Sequence, residues 1–415
     1  MDLNEFAGLI RLANPFQPRY ATDPEKTIRA KPALTAERFK LSLLHLVGST
    51  NGDGFDHALN EVFGDDDPPH RASLSKARAH VSWTFFRDSL AELVQGIDAE
   101  RTTFGGLKLL AIDGHQLVLP YTKDLYDAGY SGYPLEDDRE TYMLRAYMTH
   151  CYDVLTGVTS GVTFSPLLDE HRDRKSLLPG VPDGSLVLYD RCYFSEDLVR
   201  AHAGRDRVYF LARCKRTASS EVEAFFSDSA KTTASTGRYG PRIFFFKLLH
   251  PDTGETTVYA TDLPESWHQP ELIKRLYRMR WETETEQRDI TATVKLEQWH
   301  STTLNGILQE FYATLWLINA VRITMLLSGA KSISPTDDVY QKPNFKLCFN
   351  FFVKRLATWL VAPGALLVKL GRIVRRSIEK RRRYSRSYPR ELRGPRSSFP
   401  RNGTVDCKAR PPPRR

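Results

Sequence analysis

The sequence predicts an α/β protein, with a helical N-terminal domain ahead of a strand-rich core, and three observations carry that prediction. Apolar residues recur at helical spacing up to about residue 100, and from residue 107 the pattern becomes short apolar runs. Three more such runs fall at about residues 206–264 and read as a β-strand insertion. From Pro270 a helical pattern returns, and "ELIKRLYRMRWETETEQRDI" continues without a breaker.

Taken in order, "PALTAERFKLSLLHLV" is the first helix, and "STNGDG" and "GDDDPPH" break the chain after it. "SLSKARAHVSWTFFRDSLAELVQGI" is the next, capped by Ser73 or Ser75. Its "SKAR" ahead of an aromatic helix suits either packing alone or a helix-turn-helix-like DNA reader. "LKLLAID" is a strand ending on Asp113, followed by Gly114 and a second run, "QLVLP". "YMTHCYD" and "VTSGVTF" flank the turn "VLTG" as a hairpin, and "SLVLYD" is a strand ending on Asp190. "RVYFLARCKR", "RIFFFKLL" and "TTVYATDL" supply the insertion, with "HPDTGE" as the turn between the last two. Residues 331–368 read as a C-terminal helical segment.

A chain of 415 residues with 41% hydrophobic content can bury sizeable cores. Its five cysteines are scattered, with no Cys-x-x-Cys pair, which argues against a disulfide framework or a zinc site and fits a reducing cytosol. Acidic Asp2 and Glu5 precede a short apolar run at the N-terminus, unlike a secretory signal, so no export is expected. "FYATLWLINAVRITMLL" contains Asn319 and Arg322 and reads as a buried helix rather than a membrane span. Charge is uneven: residues 369–415 hold 17 Lys/Arg against Glu379, Glu391 and Asp406, a net +14 within a chain total of +9, which leaves −5 for residues 1–368. Such a Pro- and Arg-rich tail cannot build a core, so it is expected to be disordered, and a polyanion such as nucleic acid is its natural partner.

Two apolar strands that end on aspartates place carboxylates where a ligand can reach them, although an Asp before Gly is also a common turn signal. On a helix, Tyr277, Arg280, Trp281 and Glu284 share one face, which by itself fits an ordinary amphipathic helix. If Asp113, Asp190 and Glu284 converge, a trio of hard oxygen donors without His or Cys suits Mg2+ or Mn2+, and two such ions support phosphoryl transfer. His115, His150, His171 and His300 have no metal-ligand spacing.

"YRMRWETE" resembles the signature of the insertion-sequence-four transposases, in which a Tyr is followed by two residues and an Arg, often with a Trp next, and a Glu stands three residues beyond the position next to the Arg, as Tyr277, Arg280, Trp281 and Glu284 do here. The likeness continues in "KLEQWHSTTLNGILQEFYATL" and upstream in "LLAIDG" and "LVLYDRCYF", covering roughly residues 70–325 in order and spacing. It implies an RNase H-like catalytic core over residues 101–330, with the β insertion between the second Asp and the Glu. It implies that Asp113, Asp190 and Glu284 are catalytic and hold two Mg2+ ions, with Mn2+ a substitute. These would activate water and then a DNA 3′-hydroxyl for cleavage and joining of double-stranded DNA at the element's terminal inverted repeats. Tyr277, Arg280 and Trp281 would contact DNA beside the cut. The resemblance also implies a homodimer in the synaptic complex, and the helical segment of residues 1–100 together with the basic tail favours recognition of the element ends.

Two departures stand out. The family's Lys seven residues after the Glu is Thr291 here, and Arg288 or Lys295 on the same helical stripe are the candidates to compensate. The Gly after "DR" is Cys192, a packing change rather than a nucleophile. A catalytically inactive DNA-binding relative and a non-joining nuclease are the alternatives.

Overall fold

In a computed structural model of the chain, residue 8 and residues 13–382 are described, apart from 24–33, 50–53, 65, 98–101, 135–139, 168, 240–241, 250–253, 331–333, 338 and 362. The basic segment from residue 383 onward, the extreme N-terminus and most of the "HPDTGE" turn lie outside the described residues.

The N-terminal region forms α1 (Ala36–Gly48), α2 (Phe55–Phe63), α3 (Arg71–His80) and α4 (Thr84–Ile97). The segment expected as one helix from Ser73 is therefore two, with α3 capped by the His70 ring rather than by Ser73 or Ser75. The break falls at Val81, which pairs as a β-bridge with Ala21. The Val81 amide still donates to the Ala77 and Arg78 carbonyls of α3, while extended backbone at this β-branched residue lets the Thr22 and Ser82 amides bond across to His80 and Tyr20 and turns the chain toward α4.

One mixed sheet follows. Its strands are β1 (Lys108–Pro120), β2 (Gly132–Pro134), β3 (Glu140–Asp153), β4 (Thr159–Ser165), β5 (Ser185–Tyr189), β6 (Val208–Arg213), β7 (Thr233–Thr236), β8 (Ile243–Leu249) and β9 (Thr256–Thr261). The spatial order is β2-β3-β1-β5-β6-β9-β8-β7, with β4 also on β3. β3 is antiparallel to β1 and to β4, as the hairpin around "VLTG" predicts, whereas β5 and β6 run parallel to β1. All of β5, "SLVLY", is buried, because a central parallel strand is covered on both faces. Alternation sorts its side chains: Val187 and Tyr189 join Ile112 on one face, and Leu186 and Leu188 join Ala111 on the other.

β1 is a single strand running through Asp113 and Gly114 to Pro120, not two runs separated by a turn. Pairing with β3 continues from Leu110 to Pro120, and these backbone bonds hold the strand extended across Gly114. Of the segment expected as an insertion, β6 belongs to the parallel part of the sheet, and β7–β9 extend it by antiparallel pairing.

Beyond the sheet come α5 (Pro270–Arg278) and α6 (Glu282–Arg288), joined by a 3-10 turn at Met279–Trp281 and followed by a π turn at Asp289–Thr293. The helix expected to continue unbroken from Pro270 is thus segmented. Ile273, Leu276 and Met279 seal the sheet face that carries Ala111, Leu186 and Leu188. Next is α7 (Leu304–Leu327), buried throughout from Gly306 to Met325. α1, α3, α4, α8 (Phe345–Val353) and α9 (Pro363–Arg376) surround it, so helices from both ends of the chain share one core. Arg78 of "SKAR" turns into this core, donating to Glu310 at 2.7 Å and to the Gly306 carbonyl at 3.1 Å. The segment after residue 331 also contains strands: β10 (Val339–Pro343) pairs with β11 (Ile378–Arg382). α9 and β11 therefore place residues 369–382 of the basic segment in regular structure.

Candidate active site

The register of the parallel strands aligns the first two carboxylates. Ile112 pairs with Tyr189, and Tyr189 with Ala212. One residue further along, Asp113 in β1, Asp190 just past the end of β5 and Arg213 at the end of β6 all line one cavity. Asp113 is internal to β1, yet the pairing of β1 with β5 stops at Ile112, so the sheet opens there. The crevice beyond the carboxyl ends of parallel strands, where neighbouring connections diverge, is where open α/β sheets bind ligands.

α5 and α6 bring the third carboxylate. Arg280, in the turn between them, reaches all three acids: Asp113 at 3.0 Å, Glu284 at 3.6 Å and Asp190 at 4.0 Å. Asp113 also accepts from the Thr283 hydroxyl at 3.0 Å and from the Gly114 amide at 3.0 Å. The Tyr277 hydroxyl donates to Asp190 at 3.2 Å, and its ring packs on Tyr259, 4.9 Å between centroids. The segment is pinned from the far side as well. Arg322 of α7 pairs with Glu286 and Asp289, and Lys342 and Tyr340 of β10 donate to Glu282 at 3.0 and 3.2 Å.

Burial raises the Asp113 carboxyl above the usual carboxylate range, against the opposing pull of Arg280 and the Thr283 hydroxyl. Burial also raises the Tyr277 phenol, which keeps it a hydrogen-bond donor to Asp190. For Arg280, burial works to lower the pKa, but Tyr277 and the three acids together raise it, so the guanidinium stays charged.

Asp113, Asp190, Glu284 and Arg280 line a polar cavity of about 640 Å³, together with Gly114, Arg191, Arg213, Trp281, Gln287, Arg288 and Thr291. Four arginines against three acids make it a place for a polyanion next to a cluster of hard oxygen donors. The donor set fits divalent cations such as Mg2+. As placed, no three acidic, His or Cys groups among the described residues gather tightly enough to hold an ion, and the Arg280 guanidinium lies among the three acids.

Of the residues singled out by sequence, Asp113, Asp190, Glu284, Tyr277, Arg280, Trp281 and Arg288 are brought together here. Trp281 is 46% exposed at the rim. Lys295 is not part of the group: the helix ends in the π turn, Lys295 takes a φ of 59°, and its side chain lines a separate small cavity with Val47 and His300. Lys295 leaves the stripe because helical spacing stops before residue 295. Thr291 lines the active cavity, its hydroxyl donating to the Gln287 carbonyl at 2.8 Å. Arg191, Arg213 and Gln287 escaped sequence reasoning. The available signal was that "RVYFLARCKR" is a third apolar run ending on charge, cationic this time, where the first two end on Asp.

The transposase DDE domain family matches residues 109–320, half of the chain, from β1 into α7 and including all three carboxylates. The Escherichia coli (strain K12) protein named "Putative transposase InsZ" is 28% identical over 168 residues, which are 37% of this chain and 53% of that protein. The chain thus spans about half the length of this curated relative. A solved structure, the cryo-EM piggyBac transposase synaptic complex with hairpin DNA, is similar over 90% of this chain and 85% of that chain, at 12% identity and a TM-score of 0.48. So distant a likeness carries no argument about this site.

Proposed function

Because the chain belongs to the transposase DDE domain family, we propose that it cleaves and joins DNA at the terminal inverted repeats of its own mobile element, as an insertion-sequence-four transposase with an RNase H-like core. The observation that carries the reading is the convergence of Asp113, Asp190 and Glu284, from two strands and a helix, on one cavity and within 4.0 Å of one guanidinium. The strand order β4-β3-β1-β5-β6, antiparallel then parallel about β1, supports the core assignment. Tyr277, Arg280, Trp281 and Glu284 all line or hold this cavity, which supports the subfamily.

Asp113, Asp190 and Glu284 would hold divalent metal, Mg2+ or Mn2+, which when bound supplies Lewis-acid stabilisation of the attacking and leaving oxygens of a phosphodiester. The chain's own side chains do the rest. Tyr277 fixes Asp190, and Thr283 and the Gly114 amide fix Asp113, so the carboxylates are oriented before substrate arrives. Arg191, Arg213 and Arg288 present positive charge to the DNA backbone, and exposed Trp281 offers a surface on which a base can stack. Arg288, at the cavity, is the better placed substitute for the Lys that Thr291 replaces. A homodimer would pair two element ends.

The test uses a plasmid carrying the DNA that flanks the gene, incubated with the protein and Mg2+ or Mn2+, beside Asp113→Asn and Glu284→Gln proteins. Cleavage at discrete flanking ends followed by joining, lost in both variants, is the expected result. End-specific binding without cleavage by the unaltered protein overturns the activity, and cutting without end preference replaces it with a plain nuclease.

A further inference from the structure

The loop after β6 forms a second cavity, about 320 Å³ in volume, lined by Arg191, Arg213, Lys215, Arg216, Glu255 and Thr257 among others. Arg191 and Arg213 also line the cavity of the three carboxylates, so the two spaces meet at these side chains. The charge of the second space is one-sided. Arg213 pairs with Glu255 at 3.2 Å, an exposed and therefore weak pair. Arg191, Lys215 and Arg216 have no ion-pair partner among the described residues; Arg216 donates instead to the Ser227 hydroxyl at 3.1 Å. A solvated basic surface ordinarily intersperses acids with its cations. Here three unneutralised cations, Arg191 after β5 and Lys215 and Arg216 after β6, line one cavity beside Asp190.

The loop is also held in place. The Cys214 amide donates to the Val258 carbonyl at 2.8 Å, and the Ala218 amide donates to Lys215 at 3.0 Å. The next helix, Ser220–Ser227, is capped by the Ser219 hydroxyl. Its last residue, Ser227, receives Arg216. A cationic loop fixed at both ends lines up its charges before a ligand arrives. Arg213 follows Ala212, which pairs with Tyr189 just before Asp190, and Lys215 and Arg216 lie two and three residues beyond Arg213. A strand whose phosphate sits at the carboxylates can therefore lay its neighbouring phosphates along this loop.

We propose that the cavity behind Arg191 and Arg213 is a channel for DNA phosphates, taking the backbone that flanks the bond at the carboxylates, with Lys215 and Arg216 as its outer contacts. The proposal rests on the reading of the chain as a DNA-acting transposase and adds where the flanking strand lies. Phosphate contacts are independent of sequence, so a short duplex of arbitrary sequence is a sufficient probe, and divalent metal is left out so that no cleavage intervenes.

Binding of that duplex by the full chain is titrated at several salt concentrations for three proteins: the unaltered chain, Lys215→Ala/Arg216→Ala, and Lys123→Ala/Arg200→Ala. The last removes two exposed cations elsewhere, each already paired within its own helix. The cavity variant is expected to reduce the slope of log affinity against log salt by about 2, with affinity at low salt falling by about tenfold or more. The control should keep the slope of the unaltered chain. All four substituted residues are exposed, so melting temperatures should match. Equal slopes for the cavity variant and the unaltered chain, or equal losses in both double variants, overturn the channel and leave the proposed function standing. If the unaltered chain shows no salt-dependent DNA binding, function and channel fall together.

Discussion

Two ionic clusters meet on the same short segment, and they differ in almost nothing but access to solvent. Arg280 faces Asp113, Asp190 and Glu284 across an open cavity, whereas Arg322 faces Glu286 and Asp289 in the interior. The Glu284 side chain is 30% exposed and that of Glu286 is 0% exposed. Two residues on a helix turn about 200°, so consecutive glutamates of "ETETE" look to opposite sides, one to the open cavity and one to α7. Identical chemistry serves as anchor where it is sealed and as site where it is open. A sealed carboxylate that loses its cation is stranded, but an open one can exchange a guanidinium for another cation.

This contrast can be broken from either side. The largest effect is expected from Asp113→Asn or Glu284→Gln: strand cleavage should fall on the order of a thousandfold or more, about 4 kcal/mol or above in the barrier, with little change in melting temperature. A large loss of stability together with activity would make the open cluster an anchor too. Arg322→Met should do the reverse and cost about 3–5 kcal/mol of stability by denaturant titration, because Glu286 is left buried without its cation. A cost below about 1 kcal/mol would show that the sealed cluster is not what holds α6 to α7.

Arg280→Ala gives a smaller and more specific effect. Without the guanidinium, three like charges face one another, so the metal-free protein should melt earlier and Mg2+ should restore more stability than it gives the unaltered chain. Equal Mg2+ shifts in the two proteins would mean that guanidinium and metal do not compete for these carboxylates. The smallest effect is expected at Asp262, a partly buried acid that accepts the Phe210 amide at 2.7 Å and has no cation partner among the described residues. Burial raises its carboxyl from 3.8 to about 7. A raised folded-state pKa means stability complete below about pH 4 and lost as pH rises through about 7. Asp262→Asn should therefore flatten melting temperature between those limits, and a slope identical to that of the unaltered chain would exclude Asp262 as its source.

Much of the open cluster was legible because strand-final acids and a helical Tyr-Arg-Glu spacing are local patterns. Its detail was less so. Asp113 looked like the end of a strand because Gly114 follows it, but pairing with β3 carries the strand on. Arg280 read as a ligand contact, yet its nearest partner is Asp113, 167 residues away in the chain. Lys295 read as a fourth residue of a stripe that the π turn at Asp289–Thr293 had already ended. β10 and β11 were missed because a two-stranded ribbon closed over 34 intervening residues leaves no local hairpin signal.

The sequence alone determined that apolar runs would pack as strands and helices, that "FYATLWLINAVRITMLL" would be interior, and that acids would sit at the margins of buried strands. Those outcomes follow from side-chain periodicity and the tendency of apolar surface to leave water, both of which act along the chain. Tertiary structure decided which strand lies beside which, and so that Asp113, Asp190 and Arg213 line one cavity, that Arg280 bridges three acids, and that Glu286 is sealed while Glu284 is not. Those outcomes depend on register and burial, which come into being only when distant segments meet.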